Sequence, residues 1–305
     1  MKSDAVELKE IRFANPRLNS VGIELLHLST LKDRVSAQHL ATPERAEFFM
    51  LLLVTHGYLR HTVDFVDMRL GAGSLVFVRP GQVQHWHLEL PVQGCMVLID
   101  PPALLPIVDA RGDRDTVLMA MEDWPAGVRL DDEFATKLQA ELERLASDIS
   151  AYDGTEHDVV LIRQVLLSVM LRIARWHRAR QQPATHSHST TQDAYRLFRH
   201  ELEKQFRLHW TVSQYAGRLG FSESTLNRAC QAAAGQTAKV LIDRRLALEA
   251  ARMLAHSAIS VAQVSHALGF SEPTNFVRFF TRMVGTTPTT FRTQRAPAQT
   301  WPRTA

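Results

Sequence analysis

Residues 259–292 read ISVAQVSHALGFSEPTNFVRFFTRMVGTTPTTFR. Val261, Val264, Ser265 and Leu268 fall on one face of a short helix, and Gly269 breaks it as a left-handed C-terminal cap does. Ser271 then stands as an N-cap, with Glu272 in the first turn and Pro273 near the next helical position. The helix that follows is expected to bury Phe276, Phe280 and Met283. That leaves Thr274, Asn275, Arg278 and Arg282 outward. A short helix, a glycine turn and a second helix with polar and basic outer residues is the plan of a DNA-reading helix-turn-helix. An ordinary helical hairpin reads similarly, so this stretch alone does not decide.

The pattern occurs twice. LGFSE at Leu219–Glu223 returns at Leu268–Glu272, forty-nine residues on. Val212 and Ala216 map to Val261 and Ser265 at the same offset. One extra residue then enters the second copy. After it, Leu226, Arg228, Cys230, Gly235 and Thr237 map to Phe276, Arg278, Phe280, Gly285 and Thr287 at offset fifty. Two copies are too few for a solenoid. They suit two units set one turn of DNA apart, roughly 34 Å, each entering a successive major groove. Between them, Ile242–Ala255 is rich in the helix formers Ala, Leu and Arg and reads as the strut that spaces them.

The double unit, the segment RRLALEAARMLA, the GF-S-E-x-x-x-F-x-R-x-F core and the G-T-T-P-x-x-F-R ending resemble the DNA-binding domain of the AraC/XylS family of bacterial transcription regulators. The resemblance covers about the last 110 residues. Two positions depart from it: Ser265 stands where Ala is usual, and Cys230 where a bulky aromatic is usual, which suggests a looser first unit. In the first unit Thr211 and Ser222 are the expected caps, and Leu226, Cys230 and Ala233 point inward. The outward candidates are Glu223, Ser224, Thr225, Asn227, Arg228 and Gln231. In the second they are Glu272, Thr274, Asn275, Arg278 and Arg282. Arg pairs with guanine, Asn and Gln with adenine, and the Thr methyl with thymine. The two Glu are weak candidates, because they face phosphate repulsion. Ser224, Thr225, Asn227, Arg228, Gln231, Thr274, Asn275, Arg278 and Arg282 are the residues expected to contact DNA, some of them only at phosphate.

Charge is distributed accordingly. Residues 190–305 hold 15 Lys and Arg against 7 Asp and Glu, a net of +8, whereas residues 1–189 hold 20 against 25, a net of −5. Polyanion binding is thus expected of the C-terminal part alone. The two cysteines, Cys95 and Cys230, sit in apolar patterns of different domains. They read as buried, inert thiols in a reducing cytoplasm. The N-terminus lacks a signal pattern, and no apolar run approaches the roughly 18 residues of a membrane span.

Residues 1–45 carry weak signals: Val21–Leu31 suits a strand or early core, and Thr42-Pro43-Glu44 a turn. Short strands with Gly and Pro turns then follow: FFMLLLVTHG, Tyr58–Phe65, Met68–Gly73, Ser74–Val78, Trp86–Leu90 and Cys95–Ile99. They imply a sandwich or small barrel. Gly57, the Val63-Asp64-Phe65 strand, the Gly73–Val78 strand and the run from Pro80 to Trp86 are similar to the cupin-like sensor domain of AraC-type regulators. Such barrels hold small ligands in the mouth. His61, His85 and Trp86 are the candidate ligand contacts. His85 and His87 share a strand face, with His56, His61 and Glu89 nearby, but the full ligand set of a metal cupin is missing. No metal or cofactor is expected.

Asp100-Pro101-Pro102 ends the barrel, and Asp109–Asp115 is expected at the surface. Asp131-Asp132 opens a helix with the apolar stripe Phe134, Leu138, Leu142, Leu145 and Ile149. After a turn at Tyr152-Asp153-Gly154, a helix over His157–Arg180 carries a seam of Ile162, Leu166, Val169, Ile173 and Trp176. That seam suits packing on the barrel, and in AraC-type proteins such helices often form the dimer contact. Residues 181–192, including His186 and His188, read as a linker. Asp193–His209 is the expected first helix of the DNA domain, and the tail after Arg295 is expected to fray.

The expected architecture is therefore two domains. An all-β cupin-like barrel with appended helices, for sensing and dimerisation, spans residues 1–180. A linker spans 181–192, and an all-α domain with two helix-turn-helix units spans 193–305. The resemblance implies a cytoplasmic, ligand-responsive homodimeric activator. It would bind double-stranded DNA, RNA polymerase and a small-molecule effector, and would not be an enzyme. The alternative is a metal-dependent cupin enzyme fused to a DNA-binding module.

Overall fold

The computed structural model describes residues 9–34, 42–87, 92–104, 121, 124–180 and 190–294. The chain divides into two compact units, one over residues 8–183 and the other containing 184–305. Among the described residues no helix is long and apolar enough to cross a membrane. The Asp109–Asp115 stretch, most of the linker and the tail lie outside the described residues.

The first unit is built on ten strands: β1 (Lys9–Ile11), β2 (Ile23–His27), β3 (Glu44–Ala46), β4 (Phe49–His56), β5 (Tyr58–Val63), β6 (Val66–Gly71), β7 (Ser74–Val78), β8 (Val83–His87), β9 (Gln93–Ile99) and β10 (Gly127–Arg129). Short helices α1 (Leu28–Arg34) and α2 (Pro101–Leu104) and the long helices α3 (Asp132–Ala151) and α4 (Glu156–Arg180) accompany them. The sheets run β1-β3-β8-β5-β6 and β10-β7-β4-β9-β2. β4 is apolar from Phe49 to Val54 because both its faces are covered there. Met50, Leu52 and Val54 join Leu59, Val63 and Trp86 between the sheets. Leu51 and Leu53 join Phe77, Val97 and the helix stripes on the other side.

Two strand expectations shift, and the strand reading of Val21–Leu31 holds over Ile23–His27. The hairpin strand β5 stops at Val63, so Asp64 and Phe65, expected as strand, form its turn with φ of +47° and +69°. Positive φ at both central residues matches the twist of a tight hairpin, although neither residue is glycine. The Asp64 carboxylate holds the turn, accepting from the Val83 N–H at 3.1 Å and Gln82 Nε2 at 2.6 Å. The strand expected from Trp86 begins at Val83, and residues 88–91 lie outside the described residues. The weakly patterned N-terminal stretch supplies β2, which pairs with β9 along its length, from Ile23↔Ile99 to His27↔Cys95. Its partner gives it the strand character its own pattern shows poorly.

Asp131 caps α3, accepting from the Phe134 N–H at 2.8 Å. Leu138, Leu142, Leu145 and Ile149 meet Ile162, Leu166, Val169 and Ile173 of α4 in one core, so the seam is consumed inside the unit. Phe134 and Trp176 stack with centroids 5.3 Å apart.

The second unit is helical: α5 (Thr190–Gln205), a 3-10 turn at Phe206–Leu208, α6 (Val212–Leu219), α7 (Glu223–Ala234), α8 (Ala238–His256), α9 (Val261–Ala267), α10 (Pro273–Val284) and α11 (Pro288–Gln294). α5 starts three residues before Asp193. α8 is longer than its Ala-rich segment because Thr237 caps it further upstream. Buried Glu249 of α8 accepts from Arg207 at 3.0 Å, Arg245 at 3.3 Å and Arg252 at 3.1 Å. Arg245 also reaches Glu203 of α5 at 2.7 Å. Three cations around one buried carboxylate offset its desolvation and pin the strut to α5.

Candidate nucleic-acid interface

Each repeat builds the same device from local rules. α6 opens with a capping box between Thr211 and Gln214, and α9 opens with one between Ser260 and Gln263. Gly220 and Gly269 make the turns, with φ of +73° and +79°. Tyr215 and Ala216 of α6 and Leu226, Ala229 and Cys230 of α7 are buried. Val264 and Ser265 of α9 and Phe276, Phe279 and Phe280 of α10 take the matching places. Ala229 and Phe279 are inward residues that the sequence pattern did not reveal, and they sit at matched positions. Ala233 is exposed, not inward, and Met283 is only partly buried.

The second reading helix begins differently from the first. Ser222 caps α7, accepting from the Thr225 N–H at 3.2 Å. Ser271 does not cap α10: the extra residue places Glu272 at the cap and Pro273 first in the helix. Proline has no N–H to satisfy there. The Glu272 carbonyl accepts from the Asn275 and Phe276 amides.

Ser224, Arg228 and Gln231 are exposed on α7, and Thr274, Asn275, Arg278 and Arg282 on α10. Thr225 is half-buried with its hydroxyl 2.9 Å from Ser222 Oγ. Asn227 is half-buried, and its Oδ1 accepts from the Ala238 N–H at 3.0 Å. Its side chain is thus tied into the fold. Arg282 lies 3.5 Å from Asp243 of the strut, which also holds Lys239 at 2.5 Å. His209 carries no motif that would single it out from sequence. It adopts φ +54°, touches the Leu268 carbonyl through Nε2, and packs edge-on against Phe270 at 4.7 Å. It fixes the second turn against the segment that leads into α6.

In the first unit His61 is fully buried and stacks on its cross-strand partner Trp86, with centroids 4.3 Å apart. Burial, opposed by the neighbouring Gln84 amide and aided by His87 and His85, pushes the His61 pKa down to about 3. The ring is neutral, and neither nitrogen has a well-aligned hydrogen-bond partner among the described residues. His85 does not join His61 and Trp86. It pairs with Thr62 on the opposite sheet face, its ring 4.2 Å from that of His87, because strand side chains alternate. His56 lies at the end of a strand of the other sheet, and Glu89 lies outside the described residues. Among the described residues no group of three or more His, Cys, Asp or Glu gathers to hold a metal. Cys95 and Cys230 are free and buried in different units, and burial pushes both thiols up to about 12.

Residues 29–160 match the AraC-like ligand binding domain family, and residues 215–294 match a helix-turn-helix domain family. The chain belongs to the AraC family of transcription regulators. That family is not one of enzymes, so the fused cupin enzyme gives way to an AraC-type DNA-binding regulator with a ligand-binding domain. The transcriptional activator AggR of Escherichia coli is 28% identical over 95 residues, 31% of this chain and 36% of AggR. The chain thus matches about a third of that relative's length. Among solved structures, an AraC-type transcriptional regulator from Chromobacterium violaceum shares 22% identity, covering 35% of this chain and 95% of that one, with a TM-score of 0.32. ToxT from Vibrio cholerae shares 8% identity, covering 89% of this chain and 97% of that one, with a TM-score of 0.41.

Proposed function

We propose that this AraC-family chain is a ligand-responsive activator that reads two successive major grooves. One observation carries the proposal: Ser224 and Arg228 of α7 recur as Thr274 and Arg278 of α10, exposed at the same places on two helices of the same build. A surface duplicated in its polar outer residues as well as its core suits two similar half-sites. The contacting set is Ser224, Thr225, Arg228, Gln231, Thr274, Asn275, Arg278 and Arg282. Asn227 is left out because its carbonyl serves the Ala238 amide.

Residues 1–180 sense and dimerise, 181–192 link, and 193–305 bind DNA. His61 and Trp86 form the ligand-responsive interior of the sensor; a neutral imidazole offers one donor and one acceptor. Exposed Val160, Leu161 and Leu171 on α4, at 58%, 48% and 47% exposure, give a homodimer its apolar contact. RNA polymerase is the expected partner at the promoter, and the likeness to AggR, a transcriptional activator, supports that direction.

The test is binding to DNA upstream of the chain's own and neighbouring genes at two salt concentrations, wild type beside Arg278→Ala. Tight site-specific binding that weakens steeply with salt and loses sequence preference in the variant supports the reading. Binding with no sequence preference in the wild type, with and without candidate metabolites, overturns it.

A further inference from the structure

β4 and β9 pair in register from Phe49↔Ile99 to Val54↔Gly94, and then the register slips so that His56 faces Gln93. Thr55 is the residue left over. A bulge bends its strand and re-aims a side chain. This one opens onto a cavity of about 230 Å³. Gly94, Cys95 and Thr55 line it from the sheet, His27 and Ser29 from the junction of β2 and α1, and Gln139, Leu142 and Glu143 from α3. Gly94 admits no side chain beside the bulge, since a Cβ there would lie 2.1 Å from the Leu53 carbonyl oxygen of β4. Cys95 belongs to the helix-facing core, so the cavity is on the opposite side of the sheet from Trp86.

The lining is rich in acceptors. Gln139 Nε2 donates to Glu143 Oε1 at 2.8 Å, which leaves the Gln139 carbonyl oxygen to accept. The Ser29 and Thr55 hydroxyls and the Gln93 carbonyl add further acceptors. Among the described residues no Lys or Arg lines the cavity, and Glu143 makes no ion pair. At roughly 30 Å³ per water, the space suits a molecule of few heavy atoms, below the range of about 300–1,000 Å³ usual for drug-sized ligands. The hydroxyls, the Gln93 amide and the His27 ring can donate as well as accept, so the carboxylate of Glu143 is the group that selects: a primary ammonium answers it with a positive charge and three donors.

We propose that this cavity binds a small primary amine, with its ammonium against Glu143 and its apolar tail toward Leu142 and Cys95. Such a ligand bridges β4, β9 and α3, and so tightens the sheet onto the helix layer. The proposal does not depend on His61 and Trp86 serving as the sensor interior.

Cys95 in the floor reports occupancy, and Cys230 in the other unit is its internal control. The full chain is treated with methylmercury chloride in buffered n-butylamine or n-butanol, and labelling of each cysteine is followed by mass spectrometry. Saturation-transfer NMR on both probes reads binding without relying on the thiol. Expected are a butylamine signal with several-fold slower labelling of Cys95 alone, no effect of butanol, and loss of both butylamine effects in Glu143→Gln. Glu143 is exposed, so this change leaves the fold intact. Equal binding of butanol, binding retained in Glu143→Gln, or no butylamine signal by NMR overturns the proposal. Promoter binding by the same sample reports on the DNA-reading proposal separately.

Discussion

The Ala238 N–H donates to Asn227 Oδ1 at 3.0 Å, and fifty residues on both groups are gone: Pro288 stands for Ala238 and Val277 for Asn227. The first residue of a helix has an N–H with no intrahelical partner. The first copy supplies an acceptor from the reading helix, and the second removes the donor. Asn227→Val should therefore cost about 1–2 kcal/mol, the usual penalty for a hydrogen bond lost with one partner left behind. In an Ala238→Pro background the same change should cost almost nothing. A urea-unfolding double-mutant cycle checks this. Promoter sequence preference should survive Asn227→Val, in contrast to Arg228→Ala; altered preference would return Asn227 to the reading set.

Ser265 gives a prediction of opposite sign. It is fully buried, and its hydroxyl has no partner among the described residues. The matching residue of the first copy is Ala216. Ser265→Ala should stabilise the DNA-binding unit by about 1 kcal/mol, because an unsatisfied buried hydroxyl is removed at little loss of packing. Thermal unfolding should show a Tm higher by a few degrees. A lower Tm would mean that the hydroxyl makes a bond in solution.

The two turn glycines look interchangeable in sequence but should not behave so. At Gly220 a Cβ meets nothing within 4 Å, so Gly220→Ala costs only the left-handed backbone, about 1–2 kcal/mol. At Gly269 a Cβ would lie 2.9 Å from His209 Cδ2 and 3.1 Å from the Arg207 carbonyl oxygen. Gly269→Ala should cost clearly more and disturb the second unit's DNA contacts. Unfolding midpoints of the two variants decide it, and equal losses would show that His209 yields freely.

Periodicity, caps and self-similarity placed the helices of the DNA-binding unit and the exposed Arg228 and Arg278, because these depend on local rules repeated in order. His209 was illegible because its role comes from a contact 59 residues away. Asn227, expected outward, is half-buried, because a side chain at such a helix position can still turn to a neighbouring amide. In the ligand-binding unit, alternation explains why His85 parts from His61 and Trp86, but only the register showed which two share a face. The bulge at Thr55 has no sequence signature, since it arises from how β4 meets β9.

Asp131 links the two long helices of the ligand-binding unit. Its carboxylate accepts from Trp176 Nε1 at 2.7 Å, from the Phe134 N–H and from Arg180 at 2.7 Å, and these, Trp176 foremost, hold its pKa down to about 2. A depressed carboxyl pKa contributes stability that is present above the unfolded value near 3.8 and lost as pH falls through the folded one. The Trp176 indole signal should titrate near pH 2, and in Asp131→Asn that transition should be absent. A midpoint near the ordinary carboxyl value would show that the three bonds do not persist in solution.

Asp243 poses the question of what Arg282 does. Its carboxylate, mostly buried on the strut, holds Arg282 of the second reading helix and Lys239 together. On the proposed reading α10 faces DNA, and a carboxylate beside its Arg282 opposes phosphate and so weakens binding to any sequence alike. Its compensating effect is to restrain two cations that would otherwise seek phosphates freely. Asp243→Asn should release both: affinity for unrelated DNA should rise, and the slope of log K against log salt should steepen by roughly 0.9 for each further phosphate neutralised. The ratio of specific to non-specific binding should fall, because phosphate contacts carry no sequence information. Arg282→Ala should instead lower both affinities and flatten the slope. Titrations of promoter and scrambled DNA across salt separate the cases. If Asp243→Asn weakens promoter binding while leaving the slope unchanged, the carboxylate aims Arg282 at a base edge, and Arg282 is a reader.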